Sequence, residues 1–199
     1  MTSAAEDRPT RGERTRQRLL DAARVAFRGV PWSRARVQDV CREAGVGHGT
    51  YYAYFANKEA ALEALVRRHA EALYELADQP WVSGDVAEDV EHVIRGFVDL
   101  AIADRDVRET WLAAVPSSPT LEALVGEVRA QFVGRIRDSL ARAVEDGIAR
   151  PDVDVGVGSM ALAAMVEHTV AIAQAGEEFD RERLVRGLTD LWVNAVYVR

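Results

Sequence analysis

The chain has 199 residues, 48% hydrophobic and 29% charged, and its net charge is −7. This composition is close to that of an average folded protein, so it excludes a disordered chain. The single cysteine, Cys41, excludes an intrachain disulfide and a cysteine-based zinc site within one chain. The longest apolar run, 160–166, is far shorter than the about 18 residues of a membrane span, and no apolar stretch follows the charged N-terminus. Neither a transmembrane helix nor an export signal is expected, and a reducing cytoplasm is the expected location.

The charge is unevenly distributed along the chain. Residues 8–68 contain 12 arginines and one lysine against six acidic residues, a net charge of +7, whereas residues 69–199 carry −12. A basic segment attached to an acidic body is the charge pattern expected when one end of a protein meets phosphates. A solvated arginine-rich helix would give the same pattern, so charge alone leaves both interpretations open.

The apolar pattern predicts an all-α fold of about nine helices, because apolar residues recur at spacings of three and four and no alternation of two is sustained. The first helix is expected at about 10–28. A short helix at 36–44 is followed by Gly45, which suits a left-handed turn. A third helix is expected at 47–55, and a fourth is capped by Asn57 and runs to about residue 78. The remaining helices are expected at about 85–103, 106–114, 120–146, 154–175 and 180–197.

The two short helices around Gly45 have the pattern of a DNA-binding helix-turn-helix, at about 36–55. Two such helices bury little surface alone, so their apolar faces are expected to pack on the first helix. The outer face of the third helix then remains free to enter a major groove. Tyr51 and Phe55 are expected to be core residues rather than base readers, and Cys41 is expected to be a small core residue rather than a redox sensor.

The same segment carries a longer pattern of specific residues. They are Thr15-Arg16, Leu20, Ala22-Ala23, Phe27, Val37, Asp39-Val40, Ala44-Gly45-Val46, Gly49-Thr50, Tyr52, Tyr54-Phe55 and Lys58-Glu59. In order and spacing this pattern resembles the N-terminal part of the TetR family of regulators. The match covers about 50 residues, and the rest of the chain resembles the family only in helical character and length. The resemblance implies a DNA-binding domain over 1–56 and a helical effector-binding and dimerisation domain over 57–199.

The resemblance also implies which residues contact DNA. Arg36 and Gln38 correspond to phosphate and base contacts at the start of the second helix, and Lys58 corresponds to a lysine that holds a phosphate. The positions of the recognition helix that correspond to DNA contacts are Gly47, His48, Gly49, Thr50, Tyr52 and Tyr54.

The chain departs from the family pattern at three positions. Pro31 stands where the family usually has glycine, Ala35 replaces a common hydroxyl residue, and Gly47 replaces the usual serine cap. The two lost hydroxyls remove phosphate or capping contacts, which Arg34, Arg36 or backbone amides are expected to supply instead.

The predicted helix at 154–175 is apolar on almost every side, so it has to be covered from more than one direction. Pairing with the last helix leaves apolar surface for a second copy, and the resemblance implies a homodimer formed by the last two helices of each subunit. Burial inside one subunit is the alternative. The residues expected at the dimer interface are Met160, Leu184, Leu188, Leu191 and Trp192.

Aromatic and apolar residues of the body are expected to line a mostly apolar pocket with a few polar groups, although most of them are alternatively ordinary core. The candidates are Phe97, Trp111, Phe132, Met165 and His168. The expected effector is a hydrophobic or amphipathic small molecule.

These features predict a sequence-specific DNA-binding transcriptional regulator, a ligand-responsive repressor that acts as a homodimer on a palindromic double-stranded operator. The alternative is a helical DNA-binding regulator controlled by a protein partner, without a small-molecule effector. No enzyme activity, cofactor or metal is expected, because His69, His92 and His168 are scattered and neither a glycine-rich phosphate loop nor an HExxH motif is present.

Overall fold

The computed structural model describes residues 10–79, 85–176 and 180–197. Within these ranges the chain is helical, and the only extended pairing is a single bridge between Ala149 and Tyr197. Single turns of 3-10 helix occur at Trp32–Arg34 and Val115–Ser117. The α-helices are α1 (Arg11–Phe27), α2 (Val37–Ala44), α3 (His48–Tyr52), α4 (Lys58–Ala77), α5 (Val86–Ala103), α6 (Arg105–Ala114), α7 (Pro119–Glu145), α8 (Val155–Ala175) and α9 (Arg181–Val196). The predicted all-α fold is confirmed.

Side-chain caps determine where several helices begin. Before α1, the Thr10 hydroxyl accepts a hydrogen bond from the Glu13 amide, and the Glu13 carboxylate accepts one from the Thr10 amide at 2.6 Å. Before α4, Oδ1 of Asn57 accepts from the Ala60 amide at 2.8 Å, so the predicted cap is confirmed. The helices α5, α8 and α9 are capped in the same way by the aspartates Asp85, Asp154 and Asp180.

The chain divides into two compact units. Unit 1 contains the residues up to Arg67 together with Asp106–Glu122, and unit 2 contains Arg68–Arg105 and the residues from Ala123 onward. The sequence predicts a boundary between residues 56 and 57, at the start of α4, whereas the two units divide inside α4.

In unit 1, α1 packs against α2 and α2 against α3. The buried face of α1 includes Leu19, Leu20 and Phe27. The Phe27 ring meets the Trp32 ring edge-on, with the centroids 5.4 Å apart. Helix α6 adds Trp111 to the buried residues of this unit. The expectation that the two short helices pack on the first helix is therefore confirmed for α2.

In unit 2, α5 packs against α8 and α9. Its buried face includes Ile94 and Phe97 and belongs to one apolar cluster, to which α7 contributes Leu140. Gly96 lies where a methyl group would overlap the end of the Leu76 side chain from α4. Glycine at this position therefore lets the two helices approach closely.

Helix α8 is long and apolar enough to cross a membrane, by length and composition only. Core helices of soluble proteins pass the same test. Leu162, Val166 and Val170 on one face of α8 are buried in the cluster of unit 2. However, only 28% of the most apolar segment of α8 is buried. Helix α8 therefore has a second apolar face that unit 2 leaves exposed.

Candidate nucleic-acid interface and effector cavity

The turn between α2 and α3 has the geometry that the sequence predicts. Gly45 adopts the left-handed conformation, with φ 63° and ψ 38°. The Val46 amide donates to the Cys41 carbonyl at 3.0 Å, which closes the end of α2. Cys41 is buried, as expected, and burial raises the pKa of its thiol.

Helix α3 is shorter than predicted. It ends at Tyr52 rather than at Phe55, and the amides of Tyr54 and Phe55 both donate to the Tyr51 carbonyl, at 2.9 and 3.0 Å. The chain turns here because Phe55 is drawn into the core, where it is almost completely buried.

Tyr51 anchors α3 to unit 1. Its side chain is fully buried, its ring centroid lies 5.7 Å from that of Phe55, and its hydroxyl donates to the Asn57 carbonyl at 2.9 Å. Burial raises the pKa of Tyr51, so the hydroxyl stays protonated. The prediction that Tyr51 and Phe55 are core residues is confirmed.

The other predicted positions of the recognition helix face outward. Tyr54 is half-buried, while the exposed residues are Gly47, His48, Gly49, Thr50 and Tyr52. A Cβ atom at Gly47 or Gly49 would meet nothing within 4 Å. Arg36 and Gln38 at the start of α2 are exposed as well. The buried Tyr51 thus holds a short helix whose remaining side chains are available to a groove.

Lys58 has an internal role that sequence reasoning missed. Its Nζ donates to the carbonyls of Trp32 and Ala35, at 2.7 and 3.2 Å, and lies 4.4 Å from the Trp32 ring centroid. The ammonium group therefore fastens the turn between α1 and α2 to the start of α4. No spacing rule predicts this contact, because the partners are 23 and 26 residues away.

The basic residues of unit 1 are mostly exposed, although some have internal partners. Arg42 pairs with Asp39 at 2.6 Å, and the guanidinium of Arg16 lies 5.6 Å from the Phe55 ring centroid. Asp106 holds Arg28 through a contact of 2.7 Å. The exposed arginines are Arg11, Arg14, Arg16, Arg18, Arg28, Arg34, Arg36, Arg42 and Arg67. This surface charge suits a polyanion.

Unit 2 contains a cavity of about 260 Å³. Its lining is predominantly apolar and comes from the end of α4, from α5, α7, α8 and α9, and from Tyr197. The apolar wall includes Ile94, Phe97, Ile136, Leu140, Leu162 and Trp192. The polar side chains that line it are Gln79, Glu88, Asp89, His92, Ser139 and Tyr197.

The predicted ligand residues lie in different places. Phe97 lines the cavity, and Phe132 meets its ring edge-on with the centroids 5.2 Å apart. Met165 is half-buried against the apolar cluster of unit 2, and His168 is exposed. Trp111 is buried in unit 1 and does not line the cavity.

The predicted interface residues also divide into two groups. Met160 and Leu191 are 56% and 60% exposed, and Leu184 is half-buried. Leu188 and Trp192, in contrast, are buried inside the subunit. Sequence reasoning placed Trp192 at the interface, whereas the structure places it in the cavity wall; the helical stripe of α9 gave no signal to separate the two positions.

Within the ranges that the structure describes, no group of three or more histidine, cysteine and acidic side chains is arranged to hold a metal ion.

The geometry thus combines an outward-facing helix-turn-helix with a helical unit that encloses an apolar cavity, which is the arrangement of a DNA-binding regulator. Comparisons with known proteins agree. The family described as "Bacterial regulatory proteins, tetR family" matches residues 19–65, and "Transcriptional regulator EthR, C-terminal domain" matches residues 90–198, more than half of the chain. The chain belongs to the TetR family and is a helix-turn-helix transcriptional regulator.

Individual relatives extend this likeness to almost the full length. The chain is 24% identical to the HTH-type transcriptional regulator EthR of Mycolicibacterium smegmatis, with 99% of this chain and 96% of the relative covered. The structure resembles GusR of Salmonella enterica with a TM-score of 0.78 at 17% identity, covering 93% and 96% of the two chains. It also resembles the SmeT–triclosan complex of Stenotrophomonas maltophilia, with a TM-score of 0.78 at 23% identity, covering 93% and 92%.

Proposed function

We propose that the chain is a ligand-responsive repressor that binds a palindromic operator as a homodimer in the cytoplasm and has no enzyme activity. In this proposal residues 1–56 bind DNA, and residues 57–199 dimerise and bind the effector. The observation that carries the proposal is that α3 has one buried side chain and an otherwise exposed surface. Tyr51 alone anchors this helix by its buried side chain, while its remaining positions are exposed or glycine.

We propose separate roles for two groups of DNA contacts. Arg36 and Lys58 hold phosphates, and they are supported by the exposed arginines at the start of α1. The groups proposed to read base edges are Gln38, His48 and Tyr54, with Thr50 and Tyr52 beside them. Exposure of Gln38 and His48 supports this division, and the open space around Gly47 and Gly49 allows the DNA to approach the helix closely.

We propose that the dimer forms through α8 and α9. The side chains that support this are apolar and exposed in the single chain: Val157, Met160, Ile172 and Leu191. Leu191 also lines an open groove of about 360 Å³ between α8 and α9, together with Thr169, Leu184 and Gly187. Glu167 and His168 interrupt the exposed side of α8, which favours a protein surface over lipid as its cover.

We propose that the cavity of unit 2 takes the effector. Its volume and its mixture of an apolar wall with a few polar groups suit a small organic molecule. The solved complex of SmeT with triclosan is consistent with such a ligand.

The test uses an operator selected in vitro from random duplexes. Wild type, His48→Ala and Arg36→Ala are titrated against this operator and against a random duplex at several salt concentrations. His48→Ala is expected to lose about 1–3 kcal/mol per good base contact on the operator and little on the random duplex. Arg36→Ala is expected to weaken both and to reduce the salt slope by about one unit per phosphate contact.

Equal losses on both duplexes for both variants would refute the assigned roles. A wild type that selects no palindrome would refute the dimeric mode of binding. If a compound screen by thermal shift finds no ligand that also changes operator affinity, control by a protein partner becomes the better explanation.

A further inference from the structure

The cavity of unit 2 is polar at one end and apolar at the other. Glu88 and His92, near the start of α5, line the cavity and are exposed. Ile94 and Phe97, further along the same helix, also line it and are buried. The distance along the helix axis from Glu88 to Phe97 is about 13 Å. The start of α5 is therefore the solvent-facing end of the cavity, and the apolar end lies inside unit 2.

The polar end carries negative charge on the cavity side of α5. Asp89 is half-buried and lies one helical turn before Val93, which lies one turn before Phe97, and all three residues line the cavity. Residues one turn apart share a face of a helix, so the Asp89 side chain lies on the face of α5 that borders the cavity. The exposed Glu88 adds a second carboxylate at the same end.

An anionic group would find no favourable partner at this end. No lysine or arginine occurs among the described lining residues, and His92 is the only one of them that can become cationic. The first amides of α5 are occupied as well, because those of Ala87 and Glu88 donate to Oδ1 of Asp85, at 2.8 and 3.3 Å. A carboxylate or phosphate bound here would lose hydration and would be repelled by the carboxylates of Glu88 and Asp89.

We propose that the effector is an amphipathic organic cation, in which an amine or ammonium group is attached to an apolar chain. Its cationic group lies beside Asp89 and Glu88, and its chain lies against the apolar wall. This inference rests on the proposed function, in which the cavity binds the effector. The cationic group stays at the exposed end and keeps part of its hydration, so its attraction to the two carboxylates outweighs the cost of desolvation.

Three eight-carbon probes test the charge preference. They are octylammonium, octan-1-ol and octanoate, which are positively charged, uncharged and negatively charged. Each is titrated by calorimetry into the wild-type protein without DNA at pH 8, where a histidine side chain is ordinarily neutral. We expect octylammonium to bind about tenfold more tightly than octan-1-ol, and octanoate to bind about tenfold more weakly than the alcohol.

The double variant Glu88→Gln/Asp89→Asn removes both charges and keeps the size of the side chains. We expect octylammonium to bind this variant within about twofold of octan-1-ol, whose own affinity should be unchanged. The matched control is Glu145→Gln/Asp146→Asn, because this glutamate–aspartate pair is exposed and does not line the cavity. The control should keep the full preference for the cation. Melting curves check that both variants remain folded.

Charge reversal gives a result that loss of structure cannot imitate. Glu88→Lys changes an exposed side chain. Relative to octan-1-ol, we expect this variant to bind octanoate about fivefold more tightly and octylammonium about fivefold more weakly than wild type does. In the wild-type protein, an increase in salt from about 0.05 M to about 0.5 M should reduce the preference for octylammonium and leave octan-1-ol nearly unchanged.

Each contrary result has a defined meaning. Octanoate or octan-1-ol that binds as tightly as octylammonium, or a double variant that keeps the preference for the cation, would overturn the inference. Failure of all three probes to bind at about 1 mM would overturn it too. Operator titration is separate: if octylammonium binds through Asp89 and Glu88 but operator affinity is unchanged, the charge preference of the cavity stands and the ligand-responsive function fails. If only an uncharged or anionic compound binds the cavity and changes operator affinity, the function stands and the inference fails.

Discussion

The carboxylate of Asp106, at the start of α6, accepts two hydrogen bonds from the guanidinium of Arg24 on α1, at 2.6 and 2.9 Å. Arg28, one turn further along α1, donates to the same carboxylate at 2.9 Å. Burial by itself would raise the pKa of Asp106, but the hydrogen bonds from Arg24 and Arg28 outweigh it and lower the pKa to about 2. One acidic residue thus ties α1 to α6 within unit 1.

We expect Asp106→Asn to destabilise the protein by about 2 kcal/mol at neutral pH, since the pKa in the folded state lies below its ordinary value of 3.8. Because the folded-state pKa is lowered, this stabilisation is present above about pH 4 and is lost as the pH falls towards 2. Urea unfolding at pH 7 and pH 3 measures the difference between wild type and variant, which should shrink at the lower pH. Asp152→Asn, which breaks an exposed pair with Arg150, is the control and should change little. An Asp106→Asn effect that is the same at both pH values would contradict this account.

Lys58→Ala is expected to affect both stability and DNA binding. Loss of the two carbonyl contacts and of the Trp32 ring contact should lower the free energy of unfolding by about 1–3 kcal/mol. If Lys58 also holds a phosphate, the salt slope of DNA binding falls by about one unit per subunit. Arg36→Ala separates the two effects, because this exposed residue should change the salt slope without changing the melting temperature. A Lys58→Ala protein with an unchanged melting temperature would argue against the internal role.

Gly47→Ser should stabilise the recognition helix. Gly47 is the N-cap of α3 and provides no side-chain hydrogen bond; its φ of −78° and ψ of 160° suit serine, and its surroundings are open. We expect a gain of about 0.5–1 kcal/mol from the new cap and from the less flexible unfolded chain. Gly47→Ala is the control, since alanine is a poor N-cap and should not reproduce the gain. Thermal unfolding compares the three proteins, and an equal effect of serine and alanine would exclude capping as the cause.

Charge substitutions on α9 should separate the dimer interface from the subunit core. Leu191→Glu replaces an exposed side chain, so we expect a folded protein that is converted from dimer to monomer. Leu188→Glu buries a carboxylate inside the subunit, so we expect loss of folding. Light scattering should give about twice the 21.9 kDa chain mass for wild type and the single mass for Leu191→Glu, while circular dichroism reports folding. A Leu191→Glu protein that remains dimeric would move the interface elsewhere.

Local features of the fold were predictable because local residues determine them. Asn57 and Gly45 fix the beginning of α4 and the end of α2 through contacts within a few residues, and both appear in the structure as expected. The end of α3 was misplaced, because it depends on the packing of Phe55 into the core rather than on helix propensity. The pairing of Arg24 with Asp106 could not be predicted, since the partners are 82 residues apart and any of several arginines fits the same charge pattern.

In the candidate site, too, features set by neighbouring residues were predictable, and features set by tertiary packing were not. The outward face of α3 follows from a repeat of three and four residues, so His48 and Thr50 were placed correctly on the surface. The same repeat marks Trp192 as apolar-facing, but it does not say whether the neighbouring helix belongs to the same subunit or to a second one. That distinction depends on tertiary packing.

Because the buried side chain of Tyr51 holds α3 while His48, Thr50 and Tyr52 are exposed, the residues that we propose to read the operator are not the residues that keep the unit folded. Substitutions at these exposed positions can therefore alter the preferred DNA sequence at little cost in folding free energy. If the proposed roles hold, a duplicated copy of this gene could be redirected to a new promoter by a few point mutations, while unit 2 is inherited unchanged.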